Sequence, residues 1–171
     1  MWFPYIATIL AVVTCAHGFS SGAPQSVCQH MTPGHPVSPQ ESQSPYVITT
    51  STKVSLEVKA GHSMTVTISG KTANDTIRGL MVQARVGNNI VGTFDVDPND
   101  PLITSLKCTA DEPSNKLTHK SHDYSYDRQT VILKWNAPAD LNDVIVFRVT
   151  IVFNISVFWV GIESAPVKIM Q

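Results

Sequence analysis

The sequence lacks most of the features that announce chemistry or a membrane. Its 12 basic and 13 acidic residues nearly cancel. There is no basic stripe of the kind that holds nucleic acid and no acidic solvating tail. No serine sits in a G-x-S-x-G elbow and no glycine-rich phosphate loop is present, so the chain is not expected to be an enzyme. No cationic amphipathic helix is visible, which argues against direct disruption of membranes. Past the N-terminus no apolar run reaches about 18 residues without interruption. The C-terminus has no small-residue site followed by a hydrophobic tail, so no membrane anchor is expected. Cysteine is scarce, with three in 171 residues, a length that suits one domain.

The first residues read MWFPYIATILAVVTCAHG. Tyr5 to Val13 are apolar but too few to span a bilayer. Ala16 and Gly18 are the small residues a signal peptidase wants. This predicts a signal peptide over 1–18, cleavage after Gly18, a mature domain over 19–171 beginning at Phe19, and secretion. The leader has no Lys or Arg before its apolar stretch, and a buried N-terminal strand is the alternative. Secretion removes Cys15 and leaves Cys28 and Cys108 in an oxidising compartment. One disulfide is the simplest outcome, with two free thiols or an inter-chain bond as alternatives. It would close a loop of about 80 residues, worth at most roughly 4–5 kcal/mol in the chain-entropy picture.

Val, Ile and Thr are abundant and favour sheet. Residues 19–45 are rich in Ser, Pro, Gly and Gln and read as an extended arm tied down at Cys28. Period-2 alternation then dominates. Val54, Leu56 and Val58 share a face, as do Met64, Val66 and Ile68, then Leu80, Val82 and Ala84. Val131, Leu133 and Trp135 form another such set, and so do Ile145, Phe147, Val149, Ile151 and Phe153. Each pattern predicts a strand with one buried face. The runs KAGH, GKTAND, VGNN, DVDPNDP and NAPADLND are turn signals between them. Many short strands separated by turns predict an all-β antiparallel sandwich, with a barrel as the alternative. Residues 109–129 read as a long polar loop.

Candidate sites are few. In CQHMTPGHP, His30 and His35 flank MTPG, and His119 and His122 have H-x-x-H spacing. Zinc needs three or four convergent ligands, so solvated or hydrogen-bonded loop histidines are the simpler reading and no metal is expected. Asp95, Asp97 and Asp100 cluster hard oxygens but lack the glycine and terminal glutamate of a calcium loop. Trp135 and Trp159 end apolar strands and read as core anchors rather than sugar platforms. Two N-glycosylation sequons occur: Asn74 in NDT, within a turn, and Asn154 in NIS, at a strand end. In the loop, Lys116, His119, Lys120, His122, Tyr124, Tyr126 and Arg128 are candidate contacts for anionic lipids or sugars, against the simpler reading of a solvated loop.

CQHMTPGHP, MVQARV with VGTF, LKC, THK, LKWNAP and VFRVTIVF followed by FW run in the order found in reeler domains. The chain is similar to that family over about residues 28–160, and its FSSGAPQSVCQHMTPGHP segment resembles the mature N-terminus of insect haemolymph defence proteins. The resemblance implies an immunoglobulin-like sandwich and secretion. It also implies a role in innate immunity: binding microbial surface components such as lipopolysaccharide or glucans, with haemocytes as a further partner and antimicrobial action attached. It pairs Cys28 with Cys108, which makes MTPGHP a structural segment beside the bridge. It supplies no catalytic residue and no cofactor. An extracellular-matrix or cell-adhesion module is the alternative function. The chain has no room for the haem-binding membrane module of reeler-containing reductases. Fold alone does not decide among these.

Overall fold

Alternation in the sequence becomes burial in the sheets. The computed structural model describes residues 21–51, 58–108 and 116–171. The predicted leader and the strand positions Val54 and Leu56 lie outside the described residues. β3 (Ser63–Gly70) buries Met64, Val66 and Ile68, and β9 (Thr130–Asn136) buries Val131, Leu133 and Trp135, as their period-2 patterns predict. The two strands are antiparallel, with Met64 opposite Trp135, Val66 opposite Leu133 and Ile68 opposite Val131. β1 (Tyr46–Thr50) and β6 (Thr93–Asp95) flank them, giving a sheet ordered β1-β3-β9-β6.

The second sheet runs β2 (Val58–Lys59), β12 (Val167–Met170), β10 (Val144–Asn154), β4 (Gly79–Val86), β8 (Lys116–His119), β7 (Ile103–Leu106). β11 (Val157–Glu163) folds back on β10, and the short β5 (Asn89–Ile90) pairs with β4. Among the described strands the pairing is antiparallel except for β12 against β2, which is parallel. The inward faces of both sheets meet in one core that includes Val66, Ile68, Val82, Leu133, Trp135, Phe147 and Val149. Trp135 is fully buried; its indole N–H donates to Val91 O at 3.1 Å and its ring meets Phe147 edge-on at 5.5 Å. Gly92, at φ +70°, lies against that ring, where an added Cβ would collide with the indole. This is an all-β sandwich, the predicted class. No helix among the described residues is long and apolar enough to cross a membrane.

Three expectations need correction. β4 is buried on both faces rather than one, because the N-terminal arm covers its outer face. Residues 109–129 are not one loop: Lys116 to His119 form β8, paired to both β4 and β7, and Tyr124 to Tyr126 form a 3-10 turn. Phe153 is only half-buried, since β10 loses regular register against β11 after Val152. Trp159, though half-buried, does pack against the core; it stacks edge-on with Tyr46 at 5.7 Å and donates to Ser42 O at 3.1 Å.

Candidate functional site: a cavity between the arm and the sheet

The arm is held by covalent and polar bonds. Cys28 and Cys108 form a disulfide with Cα atoms 5.9 Å apart, within the normal span. A 3-10 turn over Gln25–Val27 sets Val27, Cys28 and Met31 against Met81 of β4. The Arg85 guanidinium, buried under this turn, donates to Cys28 O at 3.0 Å and Gln29 O at 2.8 Å. Gln83 completes the net: its amide N–H donates to Cys28 O and its oxygen accepts from Arg85. Burial, then the nearby Arg148, lower the Arg85 pKa, and the carbonyl dipoles replace lost water. Met31 takes a left-handed backbone, φ 57°, unusual for a residue with a side chain. Two bonds fix it there: its N–H donates to Val27 O at 2.7 Å, and Thr150 Oγ–H donates to its carbonyl at 2.8 Å.

Farther along, arm and sheet part and leave a cavity of about 480 Å³, within the range of small-molecule sites. Its apolar wall comes from Val27 and Met31 of the arm, Leu80 and Met81 of β4, Val152 of β10, and Ile155 in the β10–β11 turn. Its polar rim comes from His35, Arg78, His119, Ser121, His122, Tyr124 and Asn154. Among the described residues that line it, Arg78 is the one permanently charged side chain and none is acidic.

The rim is ordered from behind by Asp127. One carboxylate oxygen accepts from Arg78 Nε at 3.1 Å, the other faces His122 Nε2 at 2.9 Å, and His122 Nδ1 lies 2.7 Å from Lys120 O. The Arg78 guanidinium lies over the exposed Tyr124 ring, 3.8 Å from its centre, a cation–π contact. Asp123 caps the turn that carries Tyr124, accepting from Ser125 N–H. His35 stands edge-on to Phe158 at 4.7 Å, and its buried Nδ1 has no hydrogen-bond partner among the described residues. Burial lowers the His35 pKa below 6.5, so the neutral ring prevails at pH 7.

The predicted contact residues divide sharply. Lys116 is fully buried and cannot touch a surface ligand. Lys120 donates to Pro98 O and Asp100 O, and Arg128 pairs with Asp100 at 3.0 Å, so both brace the 95–101 turn. His119, His122 and Tyr124 line the cavity, and Tyr126 is exposed beside it in the chain. Arg78 and Asp127 escaped sequence reading, because only tertiary contact links positions so far apart. The Asp cluster serves its own turn: Asp95 pairs with Lys134, Asp97 accepts from Asn99 N–H, and Asp100 caps Leu102 and Ile103. His30 accepts from Thr32 N–H in a local turn. Among the described residues no three His, Cys, Asp or Glu side chains converge to hold a metal. Asn74 is exposed in the β3–β4 turn. Asn154 is half-buried on the cavity rim, its Oδ1 accepting from Ser156 N–H at 2.8 Å.

The Reeler domain family matches residues 26–171. The chain is 52% identical over 171 residues to "Putative defense protein Hdd11" of Hyphantria cunea, covering 100% of both chains. It is 48% identical over 171 residues to "Putative defense protein Hdd11-like" of Samia ricini, covering 100% of this chain and 99% of that one. These names support a defence-related role. The crystal structure of the human F-spondin reeler domain superposes with a TM-score of 0.57 at 17% identity, over 78% of this chain and 94% of that one. That likeness carries the fold alone. The chain belongs to the Reeler domain family.

Proposed function

We propose that this chain is a secreted recognition protein of the innate defence. It binds microbial surface components, and the cavity between arm and sheet is where it does so. One observation carries the reading: a part-apolar cavity, open at a rim that offers a cation, an exposed tyrosine and the His35 ring, with His119 and His122 in its lining. Pockets with an apolar wall and a few convergent polar groups are the usual form of a binding site. The relatives' names supply the defence context. Lipopolysaccharide and glucans are the expected surface ligands, and haemocytes the cells that bound microbes would be passed to. Glycans at Asn74 and Asn154 belong to the same reading of a secreted protein. A pull-down tests it. Protein expressed from its full reading frame in insect cells is mixed with Gram-negative bacteria, Gram-positive bacteria, yeast and host matrix. Saturable microbial binding competed by lipopolysaccharide or glucan supports recognition. Retention on matrix alone would replace it with an adhesion role.

A further inference from the structure

We propose that the cavity is a site for a single-chain amphiphile with a phosphate or carboxylate head. The proposal deepens the recognition reading and rests on it for its biological setting. The wall built from Met31, Leu80, Met81, Val152 and Ile155 offers an acyl chain apolar contact and no charge. Unbranched methionines adapt to chains of different shape. Sugar hydroxyls attached to such a ligand would stay at the polar rim, since that wall offers them no partner.

The head is assigned by the rim. Asp127 and Tyr124 hold Arg78 through Nε and through the face of its guanidinium, so the fork is set before any ligand arrives. Its two terminal amino groups lie outside that ion pair. Guanidinium recognises phosphate and carboxylate through paired N–H donors. With no acidic side chain among the described residues lining the cavity, an anionic head meets no like charge from them. The His35 ring, whose buried Nδ1 has no hydrogen-bond partner among the described residues, adds hydrogen-bonding capacity to the lining.

Titration calorimetry tests this on the insect-cell protein, with dodecyl phosphate, dodecyltrimethylammonium and inorganic phosphate as probes. Dodecyl phosphate is expected to bind with one site per chain, at least about tenfold more tightly than either of the others. Ile155 is 54% exposed, so Ile155→Glu leaves the fold intact while placing a charge at the chain's path. It should weaken dodecyl phosphate about tenfold. Arg78→Gln should erase the preference for the anionic over the cationic head, and circular dichroism confirms that the variant is folded. Equal affinity for both heads, no binding of dodecyl phosphate, or an unaltered Ile155→Glu would each overturn the assignment. Bacterial pull-down on the same preparation separates the two proposals. Microbes retained without amphiphile binding defeats this site alone; amphiphile bound without microbes defeats the recognition reading.

Discussion

Single side chains set the pH limits of this fold. Tyr46 is buried, its hydroxyl donates to Thr76 O at 2.7 Å, and burial followed by the charge of Asp75 pushes its pKa up to about 12. The folded state therefore prefers the neutral phenol. That contribution is fully present below the ordinary tyrosine value near 10 and is lost as pH rises from there through about 12. Urea midpoints of wild type and Tyr46→Phe should converge over that interval. At pH 7 the variant should be less stable by about 1 kcal/mol, the net worth of one hydrogen bond. Asp100 works at the acid limit. Burial raises its pKa, but bonds from Leu102 N–H, Arg128 and Ile103 N–H outweigh it, and the net shift is downward. Its contribution is present above the unfolded carboxylate value and is lost as pH falls through the lowered one. Asp100→Asn should flatten the acid limb of the same titration. Neither residue was singled out for such a role by sequence pattern, because both shifts come from partners brought close by folding.

At the scale of elements, the arm and β4 form one unit. Replacing Arg85 by Ala leaves Gln29 O and the buried Gln83 amide oxygen without their donor and Cys28 O with the Gln83 bond alone, which should cost about 3 kcal/mol. Hydrogen exchange would then quicken at Met31 and in β4 before it does in β3 or β9. Uniform acceleration across both sheets would show that the arm is not a separate unit. The legibility of elements follows the same division. β3, β9 and most of β10 face core on one side and solvent on the other, so period 2 was enough to find them. In β4, Gln83 and Arg85 looked solvent-facing because polar side chains usually are; the arm that buries them comes from more than fifty residues earlier. β8 has four residues and two polar ends, and its partners β4 and β7 lie outside any local window. The cavity was illegible for the same reason: arm, strand ends and the post-β8 segment each contribute only part of it. What the sequence did mark was its neighbourhood, through His119, His122 and Tyr124.

For the molecule as a whole, secretion and modification have direct chemical readouts. Protein recovered from the medium of insect cells should begin at Phe19. Mass spectrometry should find a glycan at Asn74, whose side chain is exposed, and Asn74→Gln should remove it with a stability change within about 0.5 kcal/mol. A mature chain that still begins at Met1 would remove the leader from the account. The central claim, that a defence-related sandwich recognises microbes through the cavity its own arm creates, is met most directly by one binding curve. Labelled wild type and Ile155→Glu are titrated onto intact Gram-negative bacteria side by side. The account predicts saturable binding of the wild type, displaced by lipopolysaccharide, and about tenfold weaker binding of the variant. Superimposable curves, or no saturable binding by the wild type, would contradict it.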